Sequence, residues 1–151
     1  MRQALDIARE AGEAGEVPVG CVIELDGHVI GRGANRTRQD NDPTAHAEIL
    51  ALRQAAAHTG DFRLENARLF VTLEPCLMCL GAILIARISW VYFGAPEPKF
   101  GALKSRFSLM KHERFRKITF RGGLRMDEAC ELVSKFFADL RHCETGQEDA
   151  E

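Results

Sequence analysis

The sequence predicts a three-layer α/β/α sandwich built on a central five-stranded mixed sheet. Three observations carry this. Helix-like and strand-like segments alternate in the order α-β-β-α-β-α-β-(α)-β-α, the pattern of a layered α/β fold. The run RLFVTL (68–73) is almost continuously apolar, as a buried parallel strand is. Asp26-Gly27 separates two β-rich runs, a strong signal for a two-residue antiparallel hairpin.

Residues 1–14 read as an amphipathic helix. Their opening, MRQALDIAREAG, lacks the apolar centre and cleavage site of a secretory signal. VPVGCVIEL (17–25) and HVIGRGA (28–34) are the hairpin strands, and NRTRQDNDP (35–43) is a polar loop. A helix is expected over about 44–58, then the strand RLFVTL. CLMCLGAILIAR (76–87) is an apolar helix, with Pro75 suited to its first turn. WVYFGA (90–95) is the fourth strand. Residues 96–114 form a loop with a short helix, KITF (117–120) is the fifth strand, and 126–142 is the last helix. The acidic tail from Glu144 is expected to fray.

A chain of 151 residues suits one domain, 1–151, large enough to bury a core without disulfides. No apolar run has membrane-spanning length, so the expected location is the cytoplasm. Five cysteines, an odd number in a reducing compartment, argue against a disulfide framework. Cys21 and Cys130 lie in apolar segments and read as small buried hydrophobes, and Cys143 as incidental.

Cys76 and Cys79 stand three apart at the head of a helix, where the dipole favours thiolate. A C-x-x-C alone fits a redox pair, half of a structural zinc site, or coincidence. The stretch DPTAHAEIL (42–50) narrows the choice. His46 precedes Cys76 by thirty residues, about one helix-loop-strand unit, so the two helix starts can meet at one sheet edge. One nitrogen and two sulfurs leave the fourth tetrahedral position open, as in catalytic zinc sites. Glu48, two residues past His46, is then an acid/base for the metal's water rather than a ligand.

The pattern H-x-E…P-C-x-x-C is specific. With EVPVGCVI (16–23), ANR (34–36), DPTAHAEILALR (42–53), LFVTLEPCLMC (69–79) and PKFGALKS (98–105), the chain resembles the cytidine-deaminase superfamily. Within it, the chain is most similar to bacterial tRNA-specific adenosine deaminases. The resemblance implies a cytidine-deaminase-like fold, with zinc held by His46, Cys76 and Cys79 and a proton shuttled by Glu48. Adenosine at the wobble position of a tRNA anticodon, preferentially an arginine tRNA, is then hydrolysed to inosine. It further implies that Asn35 bonds the purine edge and that Val17, Pro18 and the backbone near Ala47 line the pocket. FGAPEPKFGALKS (93–105) approaches the RNA through Glu97, Lys99, Lys104 and Ser105. Glu97 stands where the family usually has an aspartate, and Phe100 where a smaller residue is common. Phe136, Phe137 and Arg141 resemble the part that meets the anticodon loop. Glu74 either braces the cysteine loop or has a surface or capping role.

Charge bears on the substrate. From Arg87 to Arg125 there are ten Lys/Arg and two acids, so this segment is +8 and the rest of the chain −10. Its cations interleave with Phe100, Phe107, Phe115 and Phe120, as on single-stranded nucleic-acid surfaces. A free-base deaminase acting on guanine or cytosine needs no such segment. A non-catalytic zinc-stabilised RNA-binding protein has no use for Glu48. LGAILIARI (80–88) is apolar on nearly all sides, which predicts packing on the sheet and on a second copy, as the homodimeric family implies.

Overall fold

The computed structural model describes residues 1–107, 109–111, 113 and 117–145, with 110 and 142–145 by backbone alone. The expectations for Arg114, Phe115, Arg116 and the tail beyond Thr145 lie outside the described residues.

Helix α1 (Arg2–Glu13) leads into the hairpin of β1 (Gly20–Leu25) and β2 (His28–Ala34). Helix α2 (Ala47–Thr59), strand β3 (Arg68–Leu73), helix α3 (Leu77–Ile85) and strand β4 (Trp90–Ala95) follow. A short 3-10 turn (Leu109–Lys111) precedes β5 (Thr119–Arg121) and helix α4 (Met126–Thr145). The sheet order is β2-β1-β3-β4-β5. β1 is antiparallel to both β2 and β3, while β3–β4 and β4–β5 are parallel. The sheet is therefore mixed, as the sequence predicts. Asp26 (φ 51) and Gly27 (φ 85) supply the positive dihedrals of the two-residue hairpin.

Helices α2 and α3 cover one face of the sheet and α1 and α4 the other. Leu69, Val71 and Val91 are fully buried under α2 and α3, each contributing about 1.5–3 kcal/mol. Ala47, Ala51 and Ala55, spaced by four, make the buried side of α2. They face Gly31 and Gly33 of β2. A β-carbon at Gly33 would lie 2.0 Å from the Ala47 carbonyl oxygen, and one at Gly31 2.4 Å from that of Ala51. Small residues on both sides bring the α2 backbone down onto the strand.

At the far end of the sheet lies an aromatic strip whose Phe70 and Tyr92 are half-buried and whose end is open to water. Trp90, the chain's only tryptophan, is 45% exposed and stacks beside Tyr92, which stacks on Phe70 at 4.9 Å.

Some boundaries differ from expectation. Val17–Val19 stay irregular before β1, because Pro18 has no amide to give a ladder and Val19 N bonds locally to Val17 O. The fifth strand is shifted to Thr119–Arg121, and α4 runs three residues further. The two central helices start later than predicted, and this shapes the site.

Candidate metal centre and active site

β2 and β3 are both antiparallel to β1, so they point the same way, and β4 points with them. The chain leaves all three strands at one edge of the sheet. Helix α2 follows β2 and α3 follows β3, so both N-termini come to that edge. Open α/β sheets hold ligands there, outside the carboxyl ends of the strands.

The segment 42–50 is not a helix from Thr44. Asp42 Oδ1 accepts from the Thr44 amide and hydroxyl at 2.7 Å each, and Pro43 disfavours helical backbone at Asp42. His46 is the N-cap of α2, with extended dihedrals (φ −75, ψ 152). It stands outside the helix, so the rule that i and i+2 point apart does not govern His46 and Glu48. Cys76 is likewise the N-cap of α3 (φ −75, ψ 176), which puts Pro75 before the helix rather than in its first turn. Cys79 follows inside that first turn.

The His46, Cys76 and Cys79 ligand atoms all lie within 4.8 Å of one another. His46 Nδ1 is 3.4 Å from Cys79 Sγ and 3.7 Å from Cys76 Sγ. Tetrahedral zinc with Zn–S near 2.3 Å and Zn–N near 2.0 Å has an N···S edge of about 3.5 Å. The donor set and its spacing therefore fit zinc. The electrostatics agree. The Cys79 thiol beside it holds Cys76 down at about 4, with His46 assisting. Cys79 is pushed strongly up by the Cys76 sulfur and by burial. Hydrogen bonding with Cys76 raises His46. Burial pushes the Glu48 carboxyl up to about 7, and the nearby Cys76 sulfur acts in the same direction. Two sulfurs and a carboxylate crowded together call for a cation.

This cluster borders a cleft of about 920 Å³. Val17, Asn35, His46, Glu48, Cys76, Glu97, Lys99, Phe137 and Arg141, all named from the sequence, line it. Glu48 is 4% exposed and Asn35 7% exposed, so neither is a solvated surface residue. Pro18, Ala47, Cys79, Lys104 and Ser105 do not line the cleft: Pro18, Ala47 and Cys79 are buried, and the other two serve Glu74. Phe136 is half-buried with its ring edge-on to Phe137, which is exposed. Cys130 is half-buried, packs against the smaller core cluster of Leu5, Ala95 and Ala129, and also lines the cleft.

Two buried acids organise the walls. Glu74, 2% exposed, accepts backbone N–H groups from Leu103 (3.1 Å), Lys104 (2.6 Å), Ser105 (3.0 Å) and Glu97 (3.2 Å), plus the Ser105 hydroxyl. Desolvation raises its carboxyl, but these donors outweigh it and the net direction is down. The loop it braces is 97–105, not the cysteine segment itself. Glu16, 1% exposed, accepts from Asn35 Nδ2 (3.1 Å), Arg38 N (2.9 Å) and Gln39 N (2.8 Å). It fixes the Asn35 amide on the wall. Sequence reasoning passed over Glu16, because a lone acid before an apolar strand carries no signal of burial. It also passed over Thr37, Val133 and Ser134, which join the lining.

Among the described residues, the cations of the basic segment take different places. Lys99 lines the cleft, Arg87 pairs with Glu65 and Arg125 with Glu128 at 2.6 Å each, and Arg121 sits on β5.

The family model described as cytidine and deoxycytidylate deaminase zinc-binding region matches residues 1–95. A tRNA-specific adenosine deaminase of Agrobacterium fabrum (strain C58) is 46% identical over 142 residues, covering 93% of this chain and 93% of that protein. A tRNA(Ile)-lysidine synthase of Deinococcus radiodurans is also 46% identical over 142 residues, but this chain spans only 24% of its length. Among solved structures, a tRNA:A34 deaminase studied for A-to-I editing at the wobble position of transfer RNA matches with TM-score 0.84 and 47% identity. That match covers 87% of this chain and 96% of the other. The motif, the metal geometry and these likenesses agree, and the chain belongs to the zinc-binding cytidine and deoxycytidylate deaminase family, in the branch that holds the tRNA-specific adenosine deaminases.

Proposed function

We propose that this chain hydrolyses adenosine to inosine at the wobble position of a tRNA anticodon, an arginine tRNA being the first substrate to test. One observation carries the reading: His46, Cys76 and buried Glu48 line a cleft, with Cys79 just behind them, and Lys99, Phe100, Phe137 and Arg141 line it too and are exposed. Cations beside exposed aromatics are the means by which proteins hold single-stranded RNA. The identity to tRNA-specific adenosine deaminases over most of both chains supports the same substrate.

His46, Cys76 and Cys79 hold the zinc, which when bound supplies a Lewis acid and a water acidic enough to ionise near pH 7. Glu48 takes one proton from the attacking water and delivers it to purine N1, then carries the second, from the new hydroxyl, to the departing amino group. A C–O bond forms at carbon 6, the C–N bond to the amino group breaks, and ammonia leaves. Asn35, steadied by Glu16, holds the purine edge, with Val17 beside it. Glu97, Lys99, Phe137 and Arg141 bind the RNA around the base, and Lys104 and Ser105 shape that loop through Glu74. An anticodon loop presents an already unstacked base, which lowers the cost of taking it into the cleft.

The active form is a homodimer. Leu77 (46% exposed) and Ile85 (70% exposed) lie eight residues apart on one side of α3, an apolar stripe left open by the sheet. The reaction belongs in the cytoplasm, where tRNA is processed. No helix among the described residues is long and apolar enough to cross a membrane.

The test is inosine formation in an arginine tRNA anticodon stem-loop carrying a wobble adenosine, with free adenosine, guanine and cytosine alongside. Inosine in the stem-loop alone is the expected result. Turnover confined to a free base would reassign the substrate, and none by zinc-loaded protein would reject the reading. Binding of the stem-loop is expected to weaken steeply with salt, through counterion release.

A further inference from the structure

We propose that Phe100 is a further substrate-binding residue: its ring stacks on a base next to the one that enters the cleft. This rests on the RNA reading above and extends it to a residue that neither metal chemistry nor proton transfer uses.

Phe100 lines the cleft and is 64% exposed. Among the described residues its ring stacks on no other aromatic and carries no cation. An unengaged phenylalanine on a loose loop would mean little, but this loop is fixed. Lys99 N donates to Glu97 Oε1 at 2.8 Å, and Gly101 N to Glu97 O at 2.9 Å. Gly101 pairs with Cys76 in an isolated antiparallel bridge. A β-carbon on Gly101 would lie 2.5 Å from Glu97 O and 2.6 Å from Glu74 Oε2, so only glycine fits there. Leu103, Lys104 and Ser105 are all held by Glu74. The backbone on either side of Phe100 is thus tied to a metal-ligand segment, while the side chain stands in water at the cleft rim. A pre-ordered backbone carrying a solvated ring suits a flat ligand, because little entropy is lost when the ligand stacks. A base in the cleft brings its covalent neighbours to the rim, and any neighbour has a π-face to offer.

The experiment is steady-state kinetics on the wobble-adenosine stem-loop with wild type, Phe100→Ala, Phe100→Leu and Phe100→Trp. Zinc content and Tm are measured on each. Stacking predicts that KM for Phe100→Ala rises about 5- to 100-fold with kcat within about twofold. Phe100→Trp should stay near wild type, and Phe100→Leu should behave like Ala. In a second arm, the nucleotides flanking the target are made abasic one at a time. For one of them the wild type should lose the same factor and Phe100→Ala should lose little more, a non-additive cycle. Four results would overturn the assignment: an unchanged KM in Phe100→Ala, Leu as good as Trp, additive losses in the cycle, or an altered sedimentation coefficient in Phe100→Ala, which would give the ring to a protein contact. If wild type turns over the stem-loop and any of these is seen, only the Phe100 assignment falls. If wild type makes no inosine at all, the RNA reading falls and takes the assignment with it.

Discussion

Cys76 and Gly101 face each other across an isolated antiparallel bridge, so a metal-ligand segment and the loop at the cleft mouth share one backbone contact. Glu74 doubles that tie from beneath, accepting from four amides and a hydroxyl in 97–105. Removing the carboxylate leaves those donors unpaired in a largely buried place. Glu74→Ala should cost about 2–4 kcal/mol, several degrees in Tm at this size. Glu74→Gln keeps one acceptor oxygen and should cost less. Thermal melts of the three proteins check the order; a Gln variant as unstable as Ala would mean that packing, not hydrogen bonding, is what Glu74 supplies.

Glu48→Gln keeps shape and removes the base. Zinc content and Tm should match wild type, while inosine formation drops by at least about 10²-fold. Metal analysis beside the turnover assay decides this. A fully active Glu48→Gln protein would end the mechanism given above.

Cys76→Ser and Cys79→Ser should each lose stoichiometric zinc, since the three protein donors are the whole set within reach among the described residues. A strong chelator should lower the wild-type Tm for the same reason, because binding energy held by the native state alone is folding energy. Retention of a full equivalent of zinc by Cys76→Ser would show that the ligand set is wrong.

At Gly33 an added methyl meets the Ala47 carbonyl one residue from both His46 and Glu48. Gly33→Ala should therefore lower stability by about 1–3 kcal/mol and depress turnover beyond what lost folded protein explains. Circular dichroism melts and activity per folded molecule separate the two effects.

The α3 stripe gives a prediction about assembly. Ile85→Glu should shift the protein to monomer in ultracentrifugation at micromolar concentration. The same sedimentation profile as wild type would remove α3 from the interface.

Much of this architecture is legible in residue order. Alternation, the Asp26-Gly27 turn and apolar strands suffice for the mixed sheet, because each is a local pattern with one physical reading. The metal donors are legible too, since few other arrangements make use of H-x-E with P-C-x-x-C. What escaped were the helix starts, Glu16, and the choice between the bracing and surface readings of Glu74. Asp42 and Pro43 hold His46 out of the helix by a local turn that competes with a good helical sequence, and propensity does not rank such competitors. Glu16 and Glu74 are acids at 1% and 2% exposure, and their burial depends on amides delivered by loops about twenty to thirty residues away. No window on the sequence contains both partners.

The aromatic strip has a practical use. Trp90 is the only tryptophan and begins β4, while Ala95, at the other end of that strand, lines the cleft. Five residues of strand separate them by about 16 Å. Its fluorescence, partly open to water beside Tyr92, should follow the integrity of the sheet and stay silent when the cleft fills. The protein thus carries a built-in optical gauge of unfolding that is insulated from ligand. Emission-monitored denaturation can rank variants such as Gly33→Ala and Glu74→Ala without interference from bound RNA.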